Sequence, residues 1–367
     1  MKIDLQSIDR ESFMVHEHLW NGELLYLVQP VHIGCKWSQQ NSIFRSSVWN
    51  ADGELVSASF KKFVNWGENP DNFPVPTSLD KATIVEKIDG SALIVSKYKG
   101  NFMIRTRGTL DATRMDNGHE IEIFKTEILP KLNNVHLVNG DTWQYSFVFE
   151  WTSPLNRIVI RYGDDPQFVL TGIVYHGDYS LIDQLTLDNI AWEHGLKRPA
   201  TYTFSSIADL LERVDLWIGK EGVCLYKNQG IWKIKSADYL IKHRLKEEFG
   251  SLEKVLDFFI SEGCPDYNDF YNKVAEVVDF ETAEECRGDI SRCIDGWKEV
   301  EKILDHMVKF CSHLQDKALY PTRKEQALKV IANYGNTNRA SFVFKLLDDK
   351  MLVADDHKKL MFQVLKK

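Results

Sequence analysis

The residues best equipped for chemistry are Lys87-Ile88-Asp89-Gly90-Ser91, between the apolar runs Ala82–Val85 and Ala92–Val95. A lysine amine attacks phosphorus well once deprotonated, but its ordinary pKa is about 10.4. Neighbouring cations or partial burial favour the neutral amine. Gly90 would let the backbone approach a nucleotide closely. Asp89 is placed to hold metal-bound water or a neighbouring base. Alone, the pentapeptide is also what any lysine between two strands would look like.

Further segments suit the same chemistry. Glu150 stands in the apolar run Phe147-Val148-Phe149-Glu150-Trp151. A carboxylate there is costly without a partner. A ribose hydroxyl pair would serve, and so would an internal arginine. Arg157 follows in Ser153-Pro154-Leu155-Asn156-Arg157-Ile158-Val159. Glu221, in Glu221-Gly222-Val223, is either a turn residue or an open-faced carboxylate of the kind that binds Mg²⁺. In Lys233-Ile234-Lys235, alternation puts both lysines on one strand face. Two ammoniums there repel unless they grip an anion such as phosphate; on an exposed edge they would only guard against aggregation. Each segment has its ordinary reading, but the ordered set points to an amine attacking a phosphate held by lysines and a metal.

The elements that must position these residues fall into two regimes. Up to about residue 240, short strand-like runs dominate: Leu93–Val95, Phe102–Ile104, Phe147–Phe149, Ile158–Ile160, Phe168–Leu170 and Val223–Leu225. Turn formers at 99–101, 163–165 and 227–230 separate them, and helical patterns intervene at 118–133 and 206–216. This predicts an α+β arrangement of antiparallel strands. Beyond residue 240, helical spacing takes over at 251–262, 289–314, 322–333 and 340–348, with no strand pattern. Two domains are expected, 1–242 and an all-α 243–367.

Composition narrows the class. A chain of 367 residues buries a substantial core without staples. Met1–Leu5 lacks the apolar run of a signal peptide, and no stretch is long and apolar enough to predict a membrane span. A cytoplasmic protein is expected. The six cysteines form no CxxC pair and read as buried thiols in a reducing compartment. The net charge of −8 argues against a nonspecific nucleic-acid coat, but a local basic groove suffices for an enzyme. Residues 81–110 offer one: Lys81, Lys87, Lys97, Lys99, Arg105 and Arg107 against Glu86 and Asp89.

The ordered set resembles the covalent nucleotidyltransferases, that is, DNA ligases, RNA ligases and mRNA capping enzymes. Within them it is most similar to the T-even bacteriophage RNA ligase 1 family. Phe149-Glu150-Trp151-Thr152-Ser153-Pro154-Leu155-Asn156-Arg157-Ile158-Val159 resembles that family's FEF-x-x-P-x-NRIV stretch. Lys62-Phe63-Val64-Asn65 with Glu68-Asn69-Pro70 resembles KFFN…ENP, and Arg105-Thr106-Arg107-Gly108-Thr109 resembles KSKGS. Arg45 aligns with a family arginine. The likeness covers about residues 40–240. Val64 replaces a frequent aromatic, and Arg107 a lysine with which it is not interchangeable in detail.

The resemblance implies a nucleotidyltransferase domain of ATP-grasp-like antiparallel sheets and helices, followed by the helical domain. It implies ATP as AMP donor and Mg²⁺ (or Mn²⁺) as metal. Lys87 would carry AMP. Arg45 and Lys62 would grip the outer phosphates, Glu150 the ribose, and Lys233 and Lys235 the α-phosphate. Arg107 would lie near the AMP, and Glu86, Ile88, Asp89, Gly90 and Val223 would line the nucleotide. Glu221 would bind metal, with Asp89. RNA with 5′-phosphate and 3′-hydroxyl ends is the implied partner, joined by a monomer. The family also suggests pairing with an end-healing polynucleotide kinase-phosphatase. Its helical domains favour broken tRNA, a preference no tail residue here carries over. DNA ligases and capping enzymes usually follow the last lysine motif with a stranded OB-fold, which the helical tail disfavours. A catalytically inactive RNA-binding homologue is disfavoured by the complete set of chemical residues.

Overall fold

The computed structural model describes residues 1–31, 34–137, 144–278 and 280–365. The chain divides into two units, Met1–Ile241 and Lys242–Lys367. The first is α+β. Strands β1 (Phe13–Trp20), β2 (Glu23–Pro30), β3 (Ser47–Asn50) and β4 (Leu55–Ala58) form one antiparallel sheet in sequence order. The remaining strands are β5 (Val64–Asn65), β6 (Thr83–Glu86), β7 (Ser91–Tyr98), β8 (Asn101–Arg105), β9 (Tyr145–Thr152), β10 (Gln167–Tyr175), β11 (Thr201–Tyr202), β12 (Gly222–Lys227) and β13 (Gly230–Lys235). They build a second sheet ordered β10-β9-β7-β8 and a third ordered β11-β6-β12-β13-β5. Pairing is antiparallel except between β13 and β5.

Three hairpins turn on two residues each, the β1–β2 hairpin among them at Asn21-Gly22 (φ 48° and 81°). Lys99-Gly100 (φ 48° and 83°) and Asn228-Gln229 (φ 48° and 66°) have both central residues at positive φ. That geometry matches the twist of the flanking strands. The β6–β7 connection, Lys87–Gly90, passes from the third sheet to the second. Val85, Ile94, Val148, Val174, Cys224 and Ile231 from both sheets share one buried cluster. The site residues lie on the faces that this cluster joins.

One expectation is corrected. Ile158-Val159-Ile160 is not a strand; the amides of Val159 and Ile160 serve a buried carboxylate described below. The helix expected over 118–133 forms as one continuous run that passes through 3₁₀ (Gly118–Glu120), α (Ile121–Ile123), π (Phe124–Ile128) and α (Leu129–Leu132) turns. Pro130 explains this, because it lacks an N–H and its ring crowds the carbonyl four residues back. Helix Ile207–Asp215 forms as the pattern at 206–216 predicts, with the Ser206 side chain capping Asp209 N. Helix Gln184–His194, capped by Asp183 and by Gly195 at φ 59°, had no strong apolar stripe to reveal it.

Among the described residues of the second unit there are helices and no strand. Leu252–Ser261, Arg287–Leu314, Arg323–Tyr334 and Ala340–Leu347 match the expected windows, and Tyr267–Val277, Phe280–Glu285 and Ala354–Leu365 add to them. Their apolar faces meet in a core around Phe259, Phe270, Ile290, Val300, Met307 and Met361. Among the described residues no helix is long and apolar enough to cross a membrane.

Candidate active site

Lys87 follows the last residue of β6, and its amide donates to the Gly222 carbonyl at 2.8 Å. That bond continues the β6–β12 ladder and brings Lys87 beside Glu221. Gly222 is required there: its φ is +141°, and a Cβ would lie 2.0 Å from the Ile234 carbonyl oxygen. Glu221, 2% exposed, accepts from Lys87 Nζ at 2.8 Å through Oε2 and pairs with Lys235 Nζ at 3.1 Å through Oε1. One buried carboxylate thus stands between two ammoniums.

Strand alternation supplies the other walls. On β9, Phe147, Phe149 and Trp151 face one core while Val148 faces the cluster shared by the two sheets. Glu150 shares the Val148 face. On β13, Lys233 and Lys235 share the Ile231 face, opposite Ile234. Arg45, at the end of a 3₁₀ turn, has its guanidinium 4.4 Å from the Phe63 ring centre, and Lys233 Nζ is 5.3 Å from the same ring. Lys62 pairs loosely with Glu68 at 3.4 Å. Phe63 therefore keeps two cations close together.

Electrostatics follow from this crowding. Burial, then Arg45, Lys62, Lys87 and Lys235, push Lys233 down to about 8. Arg45 is held down to about 10 by burial and by Arg107, against the pull of Glu150. Glu150 is pushed up to about 7 by burial, and Glu221 adds to this while Lys87 and Arg45 oppose it. Among the described residues no hydrogen bond or ion pair reaches the Glu150 carboxylate. Cys224, buried on the same face, has its thiol pushed up to about 11 by burial. Burial alone would also lower Lys87, but Glu221 and Glu150 outweigh it and hold the amine protonated, above the ordinary lysine range. Freeing of the amine by burial and neighbouring cations, expected from sequence, is therefore reversed here: the pull of the carboxylates exceeds the effect of burial.

Several expected contacts belong to the framework instead. Asp89 is 3% exposed. Its Oδ2 accepts from the amides of Val159 (2.7 Å) and Ile160 (2.9 Å), and its Oδ1 accepts from Tyr239 OH at 2.8 Å. Three of its roughly four acceptor positions are thus taken by the fold. Gly90 admits a neighbouring strand: a Cβ would lie 2.5 Å from the Trp151 carbonyl oxygen. Val223 is buried in the core with Ile84 and Leu225. Glu86 accepts from Tyr202 OH at 2.7 Å and Lys220 Nζ at 2.9 Å. Ile88 is half-buried between Lys87 and Asp89. Arg107 is exposed at the rim, while its carbonyl accepts from Gln29 and Ser46.

Sequence reasoning missed Tyr162, whose hydroxyl accepts from the Asp89 amide at 2.9 Å, and also Lys220 and Tyr239. Tyr239 meets Asp89 from 150 residues away, and nothing local announces it. It also counted Arg105 as a groove cation. Arg105 is wholly buried, bonded to the Ser46 and Ser57 hydroxyls and carbonyls.

A family model described as RNA ligase, of the T4 RNA ligase 1 type, matches residues 42–249, more than half of the chain. The chain belongs to the T4 RNA ligase 1 family. A curated relative is the "Putative bifunctional polynucleotide kinase/RNA ligase" of Autographa californica nuclear polyhedrosis virus, 26% identical over 253 residues. The match takes in 61% of this chain but 34% of that protein, so the chain spans about a third of its relative's length. Among solved structures, an archaeal ATP-dependent RNA ligase (form 2) has TM-score 0.42 at 12% identity, covering 81% of this chain and 76% of that one. A Naegleria gruberi RNA ligase with PPi has TM-score 0.38 at 13% identity, covering 63% and 76%. The matched segment of the family contains every residue of the cluster described above, from Arg45 to Lys235.

Proposed function

We propose that this chain is an ATP-dependent RNA ligase working through a covalent lysyl-AMP. The observation that carries the reading is Lys87 paired with buried Glu221, at the mouth of a cluster holding Arg45, Lys62, Lys233 and Lys235. Arg45, Lys62 and Lys233 crowd together, with Glu68 loosely paired to Lys62 and Glu150 acting on Arg45. A polyphosphate relieves their repulsion. Once Glu221 is drawn away from it and its proton passes to water, the Lys87 amine attacks the α-phosphorus of ATP, and the bond to the departing pyrophosphate breaks. AMP then passes to an RNA 5′-phosphate, and a 3′-hydroxyl attacks that activated end and releases AMP. Glu150, open and near neutrality, is suited to accept from and donate to a ribose hydroxyl pair.

A divalent cation fits the donor set. Mg²⁺ prefers one or two carboxylates plus phosphate oxygens and water over an all-protein cage. Among the described residues no group of three or more acidic, histidine or cysteine side chains converges, and Glu221, which acts on Glu150, is the carboxylate beside Lys87. Mg²⁺ or Mn²⁺ there would neutralise phosphate charge and compete with Lys87 for Glu221. The residues of the chain position the phosphates and hold the proton of the amine.

The test is incubation with α-labelled ATP and Mg²⁺, beside Lys87→Ala. Covalent label is expected on the unaltered chain and absent from the variant. Label that survives the substitution overturns the role of Lys87. Sealing assays on RNA and DNA acceptors separate an RNA ligase from a DNA ligase. Tests on a nicked tRNA anticodon loop against linear RNA address repair of tRNA, for which equal rates would remove the case. Pairing with a kinase-phosphatase is part of the same proposal.

A further inference from the structure

Beyond Lys62 the cluster opens into a cavity of about 570 Å³, in the size range of ligand pockets. It lies at the β5 edge of the third sheet and the tip of the β12–β13 hairpin. Its walls mix aromatic and proline side chains, Phe73, Pro74, Pro76 and Trp232 among them, with amides and hydroxyls, and its charged lining residues are Lys61, Lys62 and Lys227, with no acidic residue among the described lining. Lys227 Nζ donates to the Ser78 carbonyl at 2.8 Å, and the Gln229 amide exchanges hydrogen bonds with the Leu181 backbone at 2.6 and 3.0 Å. Gln39 Nε2 donates to the Asn72 carbonyl at 3.0 Å. The walls are thus pinned to one another from three sides. Lys61, lying 5.8 Å from the Tyr179 ring centre, is weakened as a cation by burial.

We infer that this cavity receives the 5′-terminal nucleotide of the phosphorylated RNA strand, with its base among the aromatic and proline side chains and its backbone along Lys61 and Lys62. The inference rests on the lysyl-AMP reading and deepens it. In-line displacement at the α-phosphorus puts the departing pyrophosphate opposite Lys87. When Lys87 is the leaving group, the attacking oxygen must come from that same opposite side. An oxygen of the RNA 5′-phosphate forms the new bond to phosphorus, and the bond from Lys87 Nζ to phosphorus breaks. The electron pair returns to nitrogen, which takes a proton from water, and a 5′–5′ pyrophosphate-linked RNA results. The 5′-phosphate thus inherits the place of the pyrophosphate among Arg45, Lys62 and Lys233, and the nucleotide attached to it extends past Lys62. An acid-free, aromatic cavity there is what a base and its backbone need, because a base stacked on an aromatic ring gains about 1–3 kcal/mol without sequence preference.

The full chain carrying Lys61→Ala and Phe73→Ala tests this, since neither side chain belongs to the cluster that holds ATP. Lysyl-AMP formation from α-labelled ATP should stay within twofold, while KM for a 5′-phosphorylated oligoribonucleotide rises tenfold or more. A variant that labels and then discharges its AMP to RNA at the unaltered KM overturns the cavity assignment. Failure of the unaltered chain to take label overturns the parent reading instead. Should the variant misfold, a 3′-blocked, 5′-phosphorylated RNA bearing 4-thiouridine as its first base decides on the unaltered chain. Crosslinks within residues 61–63, 73–77 or 227–232 support the assignment, and crosslinks confined elsewhere overturn it.

Discussion

Glu221 and Asp89 are both buried carboxylates, 2% and 3% exposed, close to the same lysine, and they do opposite things. Asp89 is held by two backbone amides and a tyrosine hydroxyl, donors fixed by the fold. Glu221 is held by two lysine side chains that remain 18% and 22% exposed. The first arrangement is saturated and costs free energy to disturb. The second is a set of charges whose partners can turn toward an arriving phosphate. Burial of a carboxylate does not identify a reactive site; whether its partners can leave it does.

Substitutions at the two carboxylates should separate these roles. The largest effect is expected from Glu221→Ala, which should cut lysyl-AMP formation by on the order of 10²–10³-fold. Its melting temperature should fall less than that of Asp89→Ala, because the freed ammoniums reach water. Asp89→Ala strands the amides of Val159 and Ile160, 4% and 9% exposed, and should cost about 3 kcal/mol or more in denaturant unfolding. If Glu221→Ala proves the more destabilising of the two, the distinction between saturated and exchangeable fails. Tyr239→Phe removes one charge-assisted bond to Asp89 and should cost about 1–2 kcal/mol by the same measurement.

The smallest effect concerns pH. Lys233, at about 8, is charged below that value and loses its charge as pH rises through it. ATP affinity, measured by titration at pH 7 and pH 9, should therefore weaken severalfold. Lys233→Arg should flatten the change, since a guanidinium stays charged throughout. The same depressed value means that protonated Lys233 opposes folding below about pH 8 and that this opposition fades as pH rises toward 10.5.

Much of the fold was legible because its signals are local. The β7–β8 and β12–β13 hairpins follow from Gly100 and from the 227–230 turn, and the helical tail from apolar spacing. In the site, the ordered set Lys87, Glu150, Glu221, Lys233 and Lys235 was visible as residue types on strand faces, and alternation placed the lysine pair correctly. What could not be read was partnership. That Asp89 serves the Val159 and Ile160 amides, and so stops Ile158–Ile160 from being a strand, depends on a meeting across 70 residues. That Lys87 is held protonated depends on Glu221, which reaches it across 134. A sequence shows which groups are charged and leaves open which of them touch.

Cys224 lies on the face that carries Lys233 and has its thiol pushed up to about 11. At neutral pH it is almost wholly the unreactive thiol, because oxidants and alkylating agents attack the thiolate. A cysteine within reach of the nucleophile would ordinarily expose an enzyme to inactivation during oxidative stress. Here the burial that crowds the lysine cluster also keeps that sulfur inert, and the chain should keep its chemistry in conditions that disable enzymes built around an activated thiol.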